Sequence, residues 1–388
     1  MNIVLGITGS IAGYKALELI RLLRKQGAQV RVVLTKSALN FVTPLSCQTL
    51  SDNEVYIEQF LLDKGIKHLS LADWADIMVV APATANIIAK AAQGIGDDLL
   101  STTLLSFDKP ILFVPAMDTR MWENRIVQLN IEKLKGLGYH FLAPISGPLA
   151  SGKIGKGRFP EVSIIYKKIV SVLESYPTLR GMKILITGGR TEEDLDLVRV
   201  ITNRSSGRMG LELLNAAVCR EARVRAIFGR VDVHLPEGYD IIQVRKAEQL
   251  LNQLKKNFDW CDCLIMAAAV GDYRPEKASS AKFHSQRLDI SFKKNVDLLE
   301  VLKRLNKKKI VVGFSLEPGS GLKRAREKLL KKGLSFIVHN PIKAIESEKT
   351  EATIVRPQKR PIHIRNTTKW RLANRILDEC LSEWRKIG

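Results

Sequence analysis

The sequence predicts two doubly wound α/β domains in series. Three observations carry this. Short β-branched apolar runs alternate with amphipathic helical stretches, small-residue loops follow the runs directly, and a Pro/Gly-punctuated break near the middle is followed by the same alternation again. At 388 residues the chain is too long for one compact core and fits two domains of ordinary size.

The first strand is Ile3–Thr8, a continuous apolar run of the kind that lies buried on both faces. Ala16–Leu23 follows as an amphipathic helix with an Arg/Lys outer face. Gln29–Leu34, Ile77–Ala81 and Ile111–Pro115 are further strands, and Thr84–Gln93, Asp98–Leu105 and Glu123–Leu137 are helices. A helix from about Glu161 to Glu174 ends in SYPTLRG, where Pro177 and Gly181 mark a linker near residues 175–181. The expected domains are therefore 1–176 and 182–388. In the second, strands are read at Lys183–Thr187, Arg223–Phe228, Tyr239–Val244, Leu264–Ala268, Ile310–Phe314 and Ser335–Val338. Helices are read at Gly207–Arg220, Ala247–Asn257, Val296–Leu305, Leu322–Lys332 and Thr368–Arg385. The halves are not sequence repeats of each other.

Composition narrows the class. Apolar residues are 45% and charged residues 26%, as in ordinary globular proteins. No apolar run approaches the ~20 residues needed to cross a bilayer. The first basic residue is Lys15, after an apolar run that turns at Gly9-Ser10, which reads as a buried strand and not a leader. Five sparse cysteines (Cys47, Cys219, Cys261, Cys263, Cys380) include no CxxC pair, so a reducing cytosol is expected, with neither a disulfide framework nor a zinc site. The net charge of +21 points toward anionic ligands. Much of the excess lies in KRLNKKK, LKRAREKLLKK and RPQKRPIHIR, where aromatics are scarce and no DNA-binding spacing occurs. Neither nucleic acid nor membrane is expected as a partner.

Ligands of open α/β sheets sit at the carboxyl ends of strands. Thr8-Gly9-Ser10-Ile11-Ala12-Gly13 follows strand one and opens a helix, whose amides and dipole favour a phosphate. It is not GxGxxG, and Thr35-Lys36-Ser37, without an acidic residue, follows strand two. That suits a mononucleotide phosphate better than a dinucleotide. The loops Ala81–Asn86 and Val114–Asp118 are placed alike, and Ser146–Arg158 reads as a mobile Gly-rich lid over the strand ends. Taken singly, each loop is also compatible with plain packing.

TGSIAGYKALELIR, FVTPLSCQTLS, KHLSLADWADIMVVAPATANIIAKAAQGIGDDLLSTT and PAMDTRMW together resemble the flavodomain of phosphopantothenoylcysteine decarboxylases, homo-oligomeric flavin-dependent enzymes. The resemblance implies a flavodoxin-like (Rossmann-like) fold binding FMN through Gly9, Ser10, Ile11, Thr35, Ser37, Ala83, Thr84, Asn86 and Ala116. It implies His68 as the active-site base. Oxidising a cysteinyl thiol to a thioaldehyde creates an acceptor for the electrons left by departing CO₂, and a flavin takes the two electrons. Two positions depart from the family. Asp118 stands where an Asn amide commonly meets the substrate carboxylate, and Ser151 stands where a Cys commonly protonates the enethiol.

In the second half, TGGRTEEDLDLVRVITNRSSGRMG, AAAVGDYRP, KKNVDLLE and GFSLE resemble the phosphopantothenate–cysteine ligase domain, a second Rossmann-like α/β ligase domain. Position by position, the resemblance implies that Asn203 acts around an acyl-cytidylate. Ala268, Ala269, Val270, Asp272, Asn295, Val296, Asp297, Leu298, Phe314, Lys328 and Lys332 would meet the nucleotide. Lys282 matches a catalytic lysine, although His284-Ser285 follow where a second lysine is usual. From the residues themselves, Lys328 and Lys332, four apart on a basic helix, are equally compatible with a solvated face. The two halves together are similar to the bifunctional bacterial enzymes of coenzyme A biosynthesis. This implies 4′-phosphopantothenate, cysteine and CTP as substrates, FMN and Mg²⁺ as cofactors, and an assembly of flavodomain trimers joined by ligase-domain dimers. Asp118 and Ser151 leave open an active ligase with a slowed or altered decarboxylase. A basic flavoprotein scaffold is the alternative from another class.

Overall fold

The computed structural model describes residues 1–59, 66–284, 287–305, 308–317, 321–341 and 349–387. Ser285, and Asn306 and Lys307 of the first basic run, lie outside them. The chain divides into two compact units, Met1–Tyr176 with Pro236–Gly238, and Pro177–Leu235 with Tyr239–Gly388.

In the first unit the described strands are β1 (Asn2–Ile7), β2 (Gln29–Leu34), β3 (Val55–Tyr56), β4 (Ile77–Ala83), β5 (Ile111–Pro115) and β6 (His140–Phe141). They form one parallel sheet in the order β3-β2-β1-β4-β5-β6. Helices α1 (Gly13–Lys25), α2 (Pro44–Ser51), α3 (Lys67–Trp74), α4 (Ala85–Gln93), α5 (Leu99–Leu105), α6 (Thr119–Trp122), α7 (Arg125–Gly136) and α8 (Val162–Leu173) connect and cover it. Every residue of β4 and β5 is buried, which is why both read as unbroken apolar runs. The helix read at Glu123–Leu137 is α7, and the short α6 before it was not anticipated; Asn124 stands between them and caps the Ile126 amide. The lid is a two-stranded antiparallel ribbon, β7 (Ile145–Pro148) and β8 (Ile154–Arg158).

The second unit repeats the architecture on different residues. Its described strands are β9 (Lys183–Gly188), β10 (Glu192–Asp194), β11 (Val200–Thr202), β12 (Arg223–Phe228), β13 (Ile241–Gln243), β14 (Cys263–Met266), β15 (Tyr273–Pro275), β16 (Phe292–Lys294), β17 (Ile310–Glu317), β18 (Phe336–Pro341), β19 (Lys349–Val355) and β20 (Ile362–Thr368). The helices are α9 (Arg208–Cys219), α10 (Ala247–Phe258), α11 (Leu298–Lys303), α12 (Leu322–Lys332) and α13 (Lys369–Trp384). The main sheet runs β13-β12-β9-β14-β17-β18-β19-β20. Its first six strands are parallel, and β19 and β20 add an antiparallel edge that the sequence reading did not anticipate.

Side-chain alternation along these strands builds two cores. Ile184, Ile186 and Phe228 pack with Leu213 of α9 and Ile376 of α13, while Leu185, Ile227 and Leu264 pack with Leu254, Leu302 and Leu329 of α10, α11 and α12. All five cysteines are buried and none is in a disulfide. Desolvation pushes the Cys47 and Cys261 thiols up to about 11, so they behave as small apolar groups. Among the described residues, no helix is long and apolar enough to cross a membrane.

Candidate functional site

Each unit reverses strand order beside its first strand, β1 against β4 and β9 against β14. A crevice opens at the carboxyl ends of such pairs. In the first unit the buried Thr8 hydroxyl holds that junction together. It donates to the Pro82 carbonyl at 2.7 Å and accepts from the Thr84 amide at 3.1 Å. Thr84 in turn caps α4. Gly9 lies so close to Ser37 that an added Cβ would come within 2.5 Å of that residue's Cβ, so the tips of β1 and β2 are pressed together.

The resulting cleft has a volume of about 550 Å³, well within the range of small-ligand sites. Its polar end holds Ser10, Thr84 and Lys15 at the entry to α1, and its walls include Ile11, Met117, Met121 and Leu149. The ribbon β7–β8 covers one side. Gly157 makes this possible, since a Cβ there would meet the Met117 carbonyl oxygen at 2.0 Å, and its own carbonyl accepts the Met117 amide at 3.1 Å. Opposite the ribbon tip, Asp118 Oδ1 accepts from the Arg120 amide at 3.0 Å and its Nε at 3.1 Å. Asp118 Oδ2 accepts from the Ser151 hydroxyl at 3.2 Å. The Arg120 amide and guanidinium, with Ser151, hold the Asp118 carboxyl below the usual carboxylate range.

Of the residues expected here, Gly9, Ser10, Ile11, Thr84, Ala116, Asp118 and Ser151 line the cleft. Thr35, Ser37, Ala83 and Asn86 do not. Ala83 is wholly buried within β4, while Ser37 and Asn86 face solvent. The Thr35 hydroxyl is buried at the end of β2 without a hydrogen-bond partner. His68 sits half-buried in the first turn of α3, away from the cleft lining of its own chain. Tyr14, Lys15, Met117 and Met121 were missed, although Tyr14 and Lys15 fall in the first turn of the helix after the Gly9 loop.

In the second unit Thr187 takes the place of Thr8. Its hydroxyl accepts the Ala268 amide at 3.2 Å, joining the tips of β9 and β14. Beyond it the strand backs onto α9, where a Cβ on Gly210 would meet Gly188 Cα at 2.7 Å. A cleft of about 460 Å³ lies between the 203–210 loop, residues 267–270 and Phe314, with Arg208, Lys328 and Lys369 on its walls. A smaller adjoining cavity of about 150 Å³ is framed by Lys294, Lys328 and Lys332 with Asp272 and Asp297.

Hydrogen bonds fix these walls. The side-chain amide of Asn203 donates to the Val270 carbonyl at 3.1 Å, that of Asn295 to the Gly271 carbonyl at 2.8 Å, and the Lys328 ammonium to the Phe314 carbonyl at 2.8 Å. Lys332 pairs with Asp297 at 2.7 Å. Burial pushes the Asp297 carboxyl up, but Lys332 and the amides it caps at Leu299 and Glu300 prevail and leave it below its ordinary value. Lys328 and Lys332 are thus set into the cleft walls and not arrayed on a solvated face. Asn203, Ala268, Ala269, Val270 and Asp272 line the larger cleft, and Asn295, Val296, Asp297 and Leu298 the smaller. Lys282 is the exception, exposed in the connection between β15 and β16 and outside both linings. Arg208, Asn340, Thr350 and Lys369 were missed, three of them because they join the site from the far end of the chain.

Two strand-end clefts, one largely apolar-walled beside a ribbon and one with basic side chains on its walls, define a two-centre α/β protein. Residues 1–174 match the family model described as Flavoprotein. Residues 179–383 match that described as DNA/pantothenate metabolism flavoprotein C-terminal domain. The chain is 41% identical over 350 residues to the Coenzyme A biosynthesis bifunctional protein CoaBC of Bacillus subtilis, covering 88% of this chain and 86% of that protein. It is 36% identical over 363 residues to the protein of that name from Borreliella burgdorferi, covering 92% and 93%. The Vibrio parahaemolyticus relative is 39% identical over 353 residues, covering 88% and 87%. The chain belongs to the family of bifunctional coenzyme A biosynthesis proteins, CoaBC.

Proposed function

We propose that the second unit joins cysteine to 4′-phosphopantothenate using CTP and that the first decarboxylates the 4′-phosphopantothenoylcysteine formed, giving 4′-phosphopantetheine. The observation that carries this is the pairing of two chemically different clefts with two family matches in the same order along one chain.

The first cleft fits FMN by its donor set. Ser10, Lys15 and the turn entering α1 suit a phosphate, and Ile11, Met117, Met121 and Leu149 suit the faces of a ring system. When bound, the flavin supplies the two-electron chemistry that turns the cysteinyl thiol into an electron acceptor for decarboxylation. The protein's own part is to shield that centre from water with the β7–β8 ribbon and to present Asp118 and Ser151 at its mouth. A ligase with a slowed or altered decarboxylase finds no support. The flavoprotein match spans residues 1–174, the relatives carry both halves, and the Asp118 carboxylate is turned onto Arg120 and Ser151.

In the second unit the pantothenate carboxylate would attack the α-phosphorus of CTP with loss of pyrophosphate. The cysteine amine would then displace CMP from the acyl-cytidylate. Lys294, Lys328 and Lys332 are suited to the phosphates, and Asn203, fixed against Val270, to the intermediate. Asp272, lining both cavities, suits a Mg²⁺ that keeps most of its ligands on the nucleotide. The net charge of +21 favours capture of these anions.

A homo-oligomer, with flavodomain trimers and ligase dimers, is part of the same reading, as is a cytoplasmic site of action. His68 stands off the cleft of its own chain and serves as base when another copy supplies it. The exposed Ile11, Tyr14, Ile126 and Leu129 support such contacts. Incubating the purified protein with 4′-phosphopantothenate, cysteine, CTP and Mg²⁺ tests this. Mass analysis should find 4′-phosphopantetheine and CMP, and failure to form either would refute it.

A further inference from the structure

The ribbon tip and the strand-end loop beneath it are joined by one polar chain. Gly155 and Gly157 let β8 lie flat on residues 117–119, because a Cβ at Gly155 would meet Thr119 Oγ1 at 2.2 Å and one at Gly157 would meet the Met117 carbonyl oxygen. The turn is closed by the Leu149 amide donating to the Lys153 carbonyl at 2.8 Å and the Gly152 amide to that of Leu149 at 3.0 Å. That geometry delivers Ser151 to Asp118. Asp118 is turned to meet it, since Oδ1 is held twice by Arg120.

A carboxylate offers acceptors and no donor, so the contact between Ser151 Oγ and Asp118 Oδ2 uses the hydroxyl proton. The Ser151 oxygen then has lone pairs, and no proton, left for the cleft. Such an oxygen receives N–H or S–H groups and repels a bare carboxylate. An Asn at 118 would permit the opposite arrangement, its amide donating to Ser151 and freeing the hydroxyl proton for an anion.

Resting on the flavin-cleft reading above, we infer that Asp118 and Ser151 act as one positioning unit, which presents Ser151 to the substrate as an acceptor for its thiol or amide hydrogen. Asp118 thereby acts through Ser151, and each residue matters because the other is present.

Calorimetric titration of the flavin-loaded protein with 4′-phosphopantetheine, which carries thiol and amides but no carboxylate, tests this without turnover. The variants are Asp118→Asn, Ser151→Ala and the double, each checked for flavin content and melting temperature. Each single variant should weaken binding by roughly tenfold, and the double by roughly tenfold again relative to the parent, not a hundredfold. Multiplying losses, or an Asp118→Asn variant that binds as the parent does, would overturn the unit. Ser151→Thr keeps the hydroxyl and should restore most of the affinity lost in Ser151→Ala. Multiplying losses in a protein that still decarboxylates would remove the unit and leave the reaction. Shared losses in a protein with no decarboxylation would do the reverse.

Discussion

Thr8 and Thr187 occupy the same place in two stretches of sequence that do not repeat each other. Each is buried at the end of a unit's first strand, and each takes a backbone amide from the loop after the neighbouring strand across the switch point. From there the units diverge. The first surrounds its crevice with Ile11, Met117, Met121 and Leu149 and covers it with a ribbon. The second surrounds its crevice with Lys294, Lys328, Lys332 and Lys369. On the proposed function, one scaffold serves two ligands. The hydroxyl pin is common because the backbone geometry is common, and the walls differ because a ring wants dispersion contacts where a polyphosphate wants charge.

The sharpest way to break this comparison is to disable one crevice and watch the other. Gly9→Val forces a side chain into Ser37 and reshapes the polar end of the first cleft. Flavin content should fall, and decarboxylation should drop by at least ~100-fold, the scale on which removal of catalytic machinery registers, while CMP release stays near the parent rate. Absorbance of the purified variant and a coupled CMP assay check both. Lys328→Ala works in the other direction. It deletes the cation that bridges both cavities of the second unit and should lower CTP-dependent ligation by roughly 10²-fold with flavin content unchanged.

Smaller effects sharpen the shared part. Thr8→Val and Thr187→Val each leave a junction amide without its partner and should cost about 1–3 kcal/mol in the unfolding of the unit concerned, read by denaturant titration. Equal costs would support a common pin, and a cost confined to one unit would argue against it. Least of all is a pH effect centred on Asp196 in the second unit. The Phe283 amide first, with those of Val198 and Arg199, holds the Asp196 carboxyl down to about 2. A depressed carboxylate stabilises the fold above its unfolded value of ~3.9, and the contribution is lost as pH falls toward the folded value. Melting temperature should therefore decline between roughly pH 4 and 2, and Asp196→Asn should be less stable at neutral pH and flatter across that window.

Legibility in the sequence followed burial. Gln29–Leu34, Ile111–Pro115, Arg223–Phe228 and Leu322–Lys332 read to the residue, since their apolar runs are distinct and Gly or Pro stands near at least one end of each. The ribbon β7–β8 did not, because ISGP and IGKGR carry almost no apolar pattern. Nor did β19–β20, whose alternation is masked by the exposed Glu351 and Arg365 on the edge. The strand-end loops were readable as sites because small residues cluster there. What escaped was placement across long sequence distances. Lys369 and Thr350 reach the second cleft from the chain's last forty residues, and His68 and Lys282, singled out by resemblance, stand off the clefts of a single chain.

The most direct measurement follows both products in time from one reaction containing 4′-phosphopantothenate, cysteine, CTP and Mg²⁺, with parent and Gly9→Val protein side by side. Two separate centres require CMP to appear at matching rates in both, 4′-phosphopantetheine to accumulate with the parent, and 4′-phosphopantothenoylcysteine to pile up with the variant. Loss of CMP release and decarboxylation together in a variant that remains folded would contradict a division of the two steps between the two units.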